Sequence, residues 1–227
     1  MSQFLPSPRG WVSLPQHKMK IRWFGHASFC IETEGKTIYI DPYFIPKKPV
    51  KADIILVTHE HYDHCEIENI RRLRKPHTAV IASSEAAKKI EGSAIARAGD
   101  LINLHGIHIT AVNAYNIDKY FHKKGEGIGF VIESGAKRTY HSGDTDFIPE
   151  MKDLENIDVA LMSVGGKYTM DYLEAAEAVK TIKPRIAIPM HWGSIVGEKQ
   201  DAEGFKKKVE EETETKVFIL ENRWLSL

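Results

Sequence analysis

Apolar and polar positions along the chain follow two periods. KIRWFG, FCIETE and KTIYID, starting at Lys20, carry β-branched or aromatic residues at roughly alternate positions, with a turn at Gly35, and predict an antiparallel start. After a loop marked by Pro42, Pro46 and Pro49, DIILVT at 53–58 is apolar without alternation, which suits a strand buried on both faces. Helical spacing then predicts a helix over 66–74, a strand at TAVIAS, a short helix over 85–90 and a strand over 106–114. A Lys- and Gly-rich loop at 115–127 precedes GIGFVIES and RTYHSG, which the SGAK turn joins as a hairpin. DVALMSV and RIAIPM read as buried strands. The helix over 171–182 has Asp171 and Glu174 placed for a reciprocal N-terminal cap. A helix over 201–212 and a last strand at KVFIL complete the pattern. Strand pairs followed by β-α alternation, twice over, predict an α/β fold of two mixed sheets packed together with helices outside.

Composition narrows the class of protein. With 227 residues, 42 % hydrophobic and 27 % charged, the chain is neither disordered nor a disulfide scaffold, and one large domain over 20–227 is expected. Residues 1–19 hold three prolines and no period, and read as an N-terminal arm. Thirty-one basic side chains balance thirty-one acidic ones, so no net field favours nucleic acid, and a small-molecule substrate is expected instead. Cys30 and Cys65 read as reduced thiols. No apolar run approaches the roughly 18 residues needed to span a bilayer, and residues 1–19 lack a secretory apolar stretch, so a cytoplasmic location without membrane attachment is expected. A homo-oligomer is compatible with the pattern.

The chemistry concentrates after the buried run. His59-Glu60-His61-Tyr62-Asp63-His64 places three histidines and an aspartate on a loop held by a rigid strand. Neutral imidazole and carboxylate are the donors that zinc and related divalent cations accept, and close alternation lets one pair face one cation and the other pair a second. Elsewhere, Asp41 at a strand end reads as a hydrogen-bond partner of the metal loop, and His26 follows Gly25 where it could face a cleft or lie in a packed turn. His141, His17, His77, His105 and His108 read as structural or solvated, Glu60 as outward-facing, and Cys65 as a packed thiol. Gly165-Gly166-Lys167-Tyr168-Thr169, and Lys123 with Lys124, are weak candidates for the lips of a substrate cleft.

The His-x-His-x-Asp-His string resembles the signature of the metallo-β-lactamase superfamily. Ile40-Asp41-Pro42, Ser142-Gly143-Asp144-Thr145 and Pro189-Met190-His191 resemble its other motifs, over residues 20–220. The Gly25-His26-Ala27 start and compact length look most like its small hydrolase branch, which includes the ascorbate-6-phosphate lactonase-like proteins. The resemblance implies a four-layer αββα sandwich with two divalent ions, zinc or alternatively manganese. It implies that His59 and His61 hold one ion, Asp63, His64 and His191 the other, and that Asp144 bridges them. At the seventh position, where the family commonly has a histidine, this chain has Asn116; His122 is the leading substitute as metal or substrate contact. The implied activity is hydrolysis of a small ester-type substrate, lactone or phosphodiester, by a water shared between the metals, with Asp63 as the catalytic carboxylate. A metal-binding protein without turnover is the alternative that Asn116 supports. A diiron redox protein is disfavoured by His61 and by the lack of a flavin domain, and a nuclease by the lack of a long insertion.

Overall fold

The computed structural model describes residues 18–227; of the expected arm, residues 1–17, His17 among them, lie outside the described residues, and Met19 is buried in the core. Strands β1 (Lys20–Gly25), β2 (Ser28–Thr33) and β3 (Lys36–Ile40) form an antiparallel meander. From β3 the sheet continues in parallel through β4 (Ile54–Val57), β5 (Ala79–Ala82) and the two-residue β6 (Ala94–Ile95). Helices α1 (Ile67–Leu73) and α2 (Ser84–Ala87) lie in the crossovers.

The second half repeats the plan. Strands β7 (Leu101–Leu104), β8 (Ile107–Ala114), β9 (Gly127–Ser134) and β10 (Lys137–His141) are antiparallel neighbours. The sheet then runs parallel through β11 (Val159–Ser163), β12 (Ile186–Met190) and β13 (Lys216–Val217). The crossovers carry α3 (Tyr172–Ile182) and α4 (Lys199–Glu212). A last strand, β14 (Trp224–Ser226), returns to the first sheet beside β1, so each sheet has seven strands.

Burial explains why strands read as they do. In β4 all four side chains are buried: Ile54 and Leu56 join the large core between the sheets, whereas Ile55 and Val57 join a second cluster with Ile70 and Leu73 of α1. A strand covered on both faces has no polar side to show, hence the unbroken apolar run. Asp171 caps α3 with the reciprocal Glu174 bond expected from the sequence.

Two expectations need correction, and strands β7 and β14 were not expected. KVFIL is strand only at Lys216 and Val217; Phe218, partly exposed, gives a last backbone bond to the Ala187 carbonyl (3.0 Å) before the chain leaves the sheet edge. The strand β7 and the returning β14 lacked a legible signal: Leu101 is largely exposed and Trp224 half-exposed, so neither shows a strong buried period. The 85–90 helix ends at Ala87.

Candidate metal centre

The loops after β1, β3, β4, β8, β10 and β12 gather at one edge of the sandwich, and they carry every residue of the expected cluster. Asp41 organises the first of them. Fully buried, its carboxylate accepts the Thr58 backbone N–H (2.8 Å), the Thr58 hydroxyl (2.6 Å) and His64 Nδ1–H (2.8 Å). The metal loop itself closes as a tight turn, His64 and Cys65 N–H both donating to the His61 carbonyl.

These bonds set imidazole tautomers. With Nδ1–H given to Asp41, His64 keeps its lone pair on Nε2, 3.4 Å from Asp144 Oδ1. The Thr58 hydroxyl, spent on Asp41, accepts from His59 Nδ1–H at 3.0 Å, which leaves His59 Nε2 facing His61 Nδ1 at 3.1 Å. His122 donates Nδ1–H to Asn116 Oδ1 (3.1 Å) and points Nε2 at Asp144 Oδ2 (3.3 Å). His191 Nε2 lies 3.0 Å from the same oxygen.

Asn116 therefore stands behind His122 and not at the focus. Its Oδ1 accepts the backbone N–H and Nδ1–H of His122, and its Nδ2 donates to Asp146 Oδ1 and the Tyr168 carbonyl. All four hydrogen-bonding positions of the amide are used, so none is left for a cation. His122 is 5 % exposed, because the Asn116 N–H donates to its carbonyl and folds the intervening loop inward. Asp146, which the sequence reading did not single out, holds this clamp together with Lys119.

Donor atoms fall into overlapping groups: His59, His61 and His122; His59, His64 and Asp144; His26, Asp63, His64 and His191, each group within 4.8 Å. Among the described residues, Nε2 of His26, His64, His122 and His191 and Oδ1 of Asp144 are buried without a hydrogen-bond partner. Buried polar atoms are rarely left so, and a convergent set of them fits divalent cations. Burial holds His26 down at about 4 and His59 well below the usual imidazole range; it also lowers His122. For Asp144 burial acts upward, but His191 and His64 outweigh it and hold the carboxyl well below its ordinary value. His64 is the reverse case: burial lowers it, and the Asp144 and Asp41 carboxylates raise it well above. His26, His59 and His122, favoured neutral, and the ionised Asp144 are in the protonation states a metal requires, whereas His64, held protonated by two carboxylates, would release its proton as a cation binds.

Backbone strain marks the same edge. Asp41, His26 and His191 have φ of 44°, 50° and 64°, a region that costs non-glycine residues of order 1–3 kcal/mol each. Gly165 makes room for His191: a Cβ there would lie 2.4 Å from the His191 carbonyl oxygen. His141 turns away, bonded to the Ala27 carbonyl and the Gly143 N–H, and His77, His105 and His108 are exposed. Cys65 is a buried free thiol pushed up to about 11 by burial.

A cleft of about 470 Å³ opens onto His61, Asp63, His122 and Asp144. Its rim is apolar, with Tyr62, Phe121, Tyr168 and Ile195, and Glu60 and Lys89 complete the mouth. At the mouth the Glu60 carbonyl accepts from Lys89 Nζ at 2.8 Å. Of the Gly165–Thr169 loop, Tyr168 reaches the cleft, whereas Lys124 is spent on Glu150 and Lys123 lies 3.9 Å from Glu126. Isolated aromatics and a lysine carry no motif, which is why the sequence did not point to Tyr62, Phe121 or Lys89.

A family model for the beta-lactamase superfamily domain matches residues 20–191. The chain belongs to that superfamily. A UPF0173 metal-dependent hydrolase of Methanosarcina mazei is 35 % identical over 221 residues, covering 89 % of this chain and 95 % of that protein. One from Methanosphaera stadtmanae is 36 % identical over 217 residues, covering 86 % and 92 %. Among solved structures, a Parabacteroides distasonis protein superposes with a TM-score of 0.81 at 32 % identity, covering 91 % of this chain and 94 % of that one. Igni18, a metallo hydrolase of Ignicoccus hospitalis, gives 0.78 at 28 %, covering 92 % and 98 %. The αββα architecture is that of the superfamily, and the chain is a metal-dependent hydrolase within it.

Proposed function

We propose that the chain hydrolyses a small ester-type substrate, a lactone or a phosphodiester, at a centre for two divalent cations. The observation that carries this reading is the position of Asp144, whose carboxylate lies within 3.0–3.4 Å of His64, His122 and His191, imidazoles that belong to the two halves of the cluster. His59, His61 and His122 would hold one cation, Asp63, His64 and His191 the other, with Asp144 between them. Zinc suits this donor set, with manganese the alternative. Bound cations of this kind bring the pKa of water toward about 7 and polarise a carbonyl or phosphoryl oxygen.

The chain's own groups supply the rest. Burial would raise Asp63, but His26 and His64 outweigh it and bring the carboxyl down to about 2, so it stays ionised at the cleft and would accept a hydrogen bond that orients the attacking water. The apolar rim of Tyr62, Phe121, Tyr168 and Ile195 excludes water around the scissile bond and grips an apolar portion of the substrate. The cleft suits a small molecule better than a nucleic acid, in keeping with the balanced charge. Among the described residues no helix is long and apolar enough to cross a membrane; a cytoplasmic site of action is part of the proposal. The support that Asn116 lent to a non-catalytic binder is removed by His122, which brings a third imidazole to His59 and His61.

The decisive experiment is a panel of lactones and phosphodiesters assayed as purified, after chelation, and after return of zinc or manganese, alongside metal analysis. The expected result is turnover lost with the chelator and restored with two equivalents of metal. Turnover indifferent to chelation, or a protein that takes up no divalent cation, would overturn the reading.

A further inference from the structure

One histidine at the centre has no assigned part. His26 follows β1 at a bulge where Gly25 has φ of 124° and His26 itself 50°. Its carbonyl is clamped by two donors, the His191 N–H at 2.9 Å and the Trp23 indole N–H at 2.8 Å. The clamp holds the backbone in the left-handed region and drives the ring inward, where it is wholly buried with its centroid 4.0 Å from that of His191.

The sequence left His26 either facing a cleft or lying in a packed turn with a satisfied ring nitrogen. The geometry decides between them. His26 Nε2 is 2.9 Å from Asp63 Oδ2, yet it makes no hydrogen bond there, and neither ring nitrogen has a partner among the described residues. A true orienting contact exists in the same centre for comparison: His64 Nδ1 meets Asp41 at 2.8 Å with proper hydrogen-bond geometry. The His26 contact instead has the form shared by His64 Nε2 and His191 Nε2 with Asp144, close to a carboxylate oxygen but unbonded to it. Two donor atoms that lie close without pointing at one another are aimed at a common point beside them.

We infer that His26 is itself a ligand of the second cation, joining Asp63, His64 and His191, with which its donor atom shares a 4.8 Å cluster. The inference rests on the reading that this centre holds cations. It changes the donor set of the second site from two imidazoles to three, supplied by three separate segments. The left-handed backbone at His26 then has a purpose, since an extended residue after Gly25 would not present the ring at this point.

The test reads metal–nitrogen bonds directly and needs no turnover. Protein labelled with ¹⁵N in its histidine rings is stripped of metal, reloaded with ¹¹³Cd, and examined for one-bond ¹¹³Cd–¹⁵N splittings. The expected spectrum shows split resonances from His26, His59, His61, His64, His122 and His191, and His26→Asn, which tolerates the left-handed backbone, removes one. In that variant the second equivalent of cadmium should also bind more weakly, on the order of tenfold or more. Cadmium bound to the wild type with no splitting that disappears in His26→Asn would overturn the inference while leaving the metal centre intact. Should the variant not fold, the wild-type resonances decide: a split histidine set complete without His26 overturns the inference. Wild-type protein that takes up no cadmium at all overturns the underlying reading as well.

Discussion

Replacing Asn116 by alanine tests how the first half of the centre is built. The amide accepts the His122 backbone N–H at 3.0 Å and Nδ1–H at 3.1 Å, and donates to Asp146 and the Tyr168 carbonyl at 3.1 and 3.0 Å. Its removal strands the buried His122 N–H, which costs about 1–3 kcal/mol, and loses further bonds at a net 0.5–1.5 kcal/mol each; relaxation recovers part, leaving a loss of roughly 2–4 kcal/mol. Urea unfolding of the metal-free protein measures that loss. Freed from Asn116, His122 no longer holds Nε2 toward Asp144, and affinity for the first cation should fall about 10–100-fold, as it does when a ligand loses its supporting partner. Competition against a chelator of known affinity reads that quantity. Asn116→Asp provides the contrast. It keeps an acceptor for His122 but sets a carboxylate against Asp146, so it should lose comparable stability while largely preserving metal affinity. Asn116→Ala binding metal within about twofold of the wild type would refute the claim that the amide aims His122 at the centre.

Other consequences can be checked independently. Asp63→Asn at equal metal loading should reduce kcat by about 10²-fold or more with an unchanged circular dichroism spectrum, and full activity would remove Asp63 from the catalytic role. Gly165→Ala would place a methyl 2.4 Å from the His191 carbonyl, so the metal-free variant should melt well below the wild type, by the equivalent of about 2 kcal/mol or more, and a neutral Tm would contradict the packing described. Asp53, 15 % exposed, accepts from the Thr37 N–H at 2.9 Å and pairs with Lys75 at 2.8 Å; burial opposes its ionisation, but these partners lower its pKa overall. A depressed folded-state pKa gives stability that is present above the unfolded value near 3.8 and is lost as pH falls through the folded one. Asp53→Asn should therefore be less stable than wild type at pH 7, with the gap closing below about pH 4 in parallel urea titrations. Chelation should lower the Tm of the wild type, since cations that bind only the folded chain add about 2.7 kcal/mol at a free concentration one hundred times their Kd.

Much of the fold was open to inspection in one dimension. The change from alternating to continuous apolar runs at DIILVT marks the point where the first sheet becomes parallel and acquires a helical layer, and the same change recurs at DVALMSV. The HEHYDH loop announced itself for a related reason: several metal donors within six residues need no tertiary information to be noticed. Edge strands were harder. The exposed Leu101 and the half-exposed Trp224 carry little burial signal, so pairing at the two sheet margins could not be read locally.

The site shows a comparable division. Asp41 was legible because it ends a strand, but its three donors, two on Thr58 and one on His64, lie seventeen and twenty-three residues away. His122 could be named as a substitute for the missing histidine, but whether it meets metal or substrate was not legible until the Asn116 clamp was seen to fold its loop inward.

The identity of the donors, the two-sheet architecture and the superfamily signature were thus properties of the chain as written, since they depend on residue type and short-range periodicity. Which imidazole completes the first group, which nitrogen of each ring faces inward and where His26 stands were decided only in three dimensions. Those outcomes depend on hydrogen bonds between segments far apart in sequence and on left-handed backbone at His26, Asp41 and His191, and neither leaves a periodic trace in the order of residues.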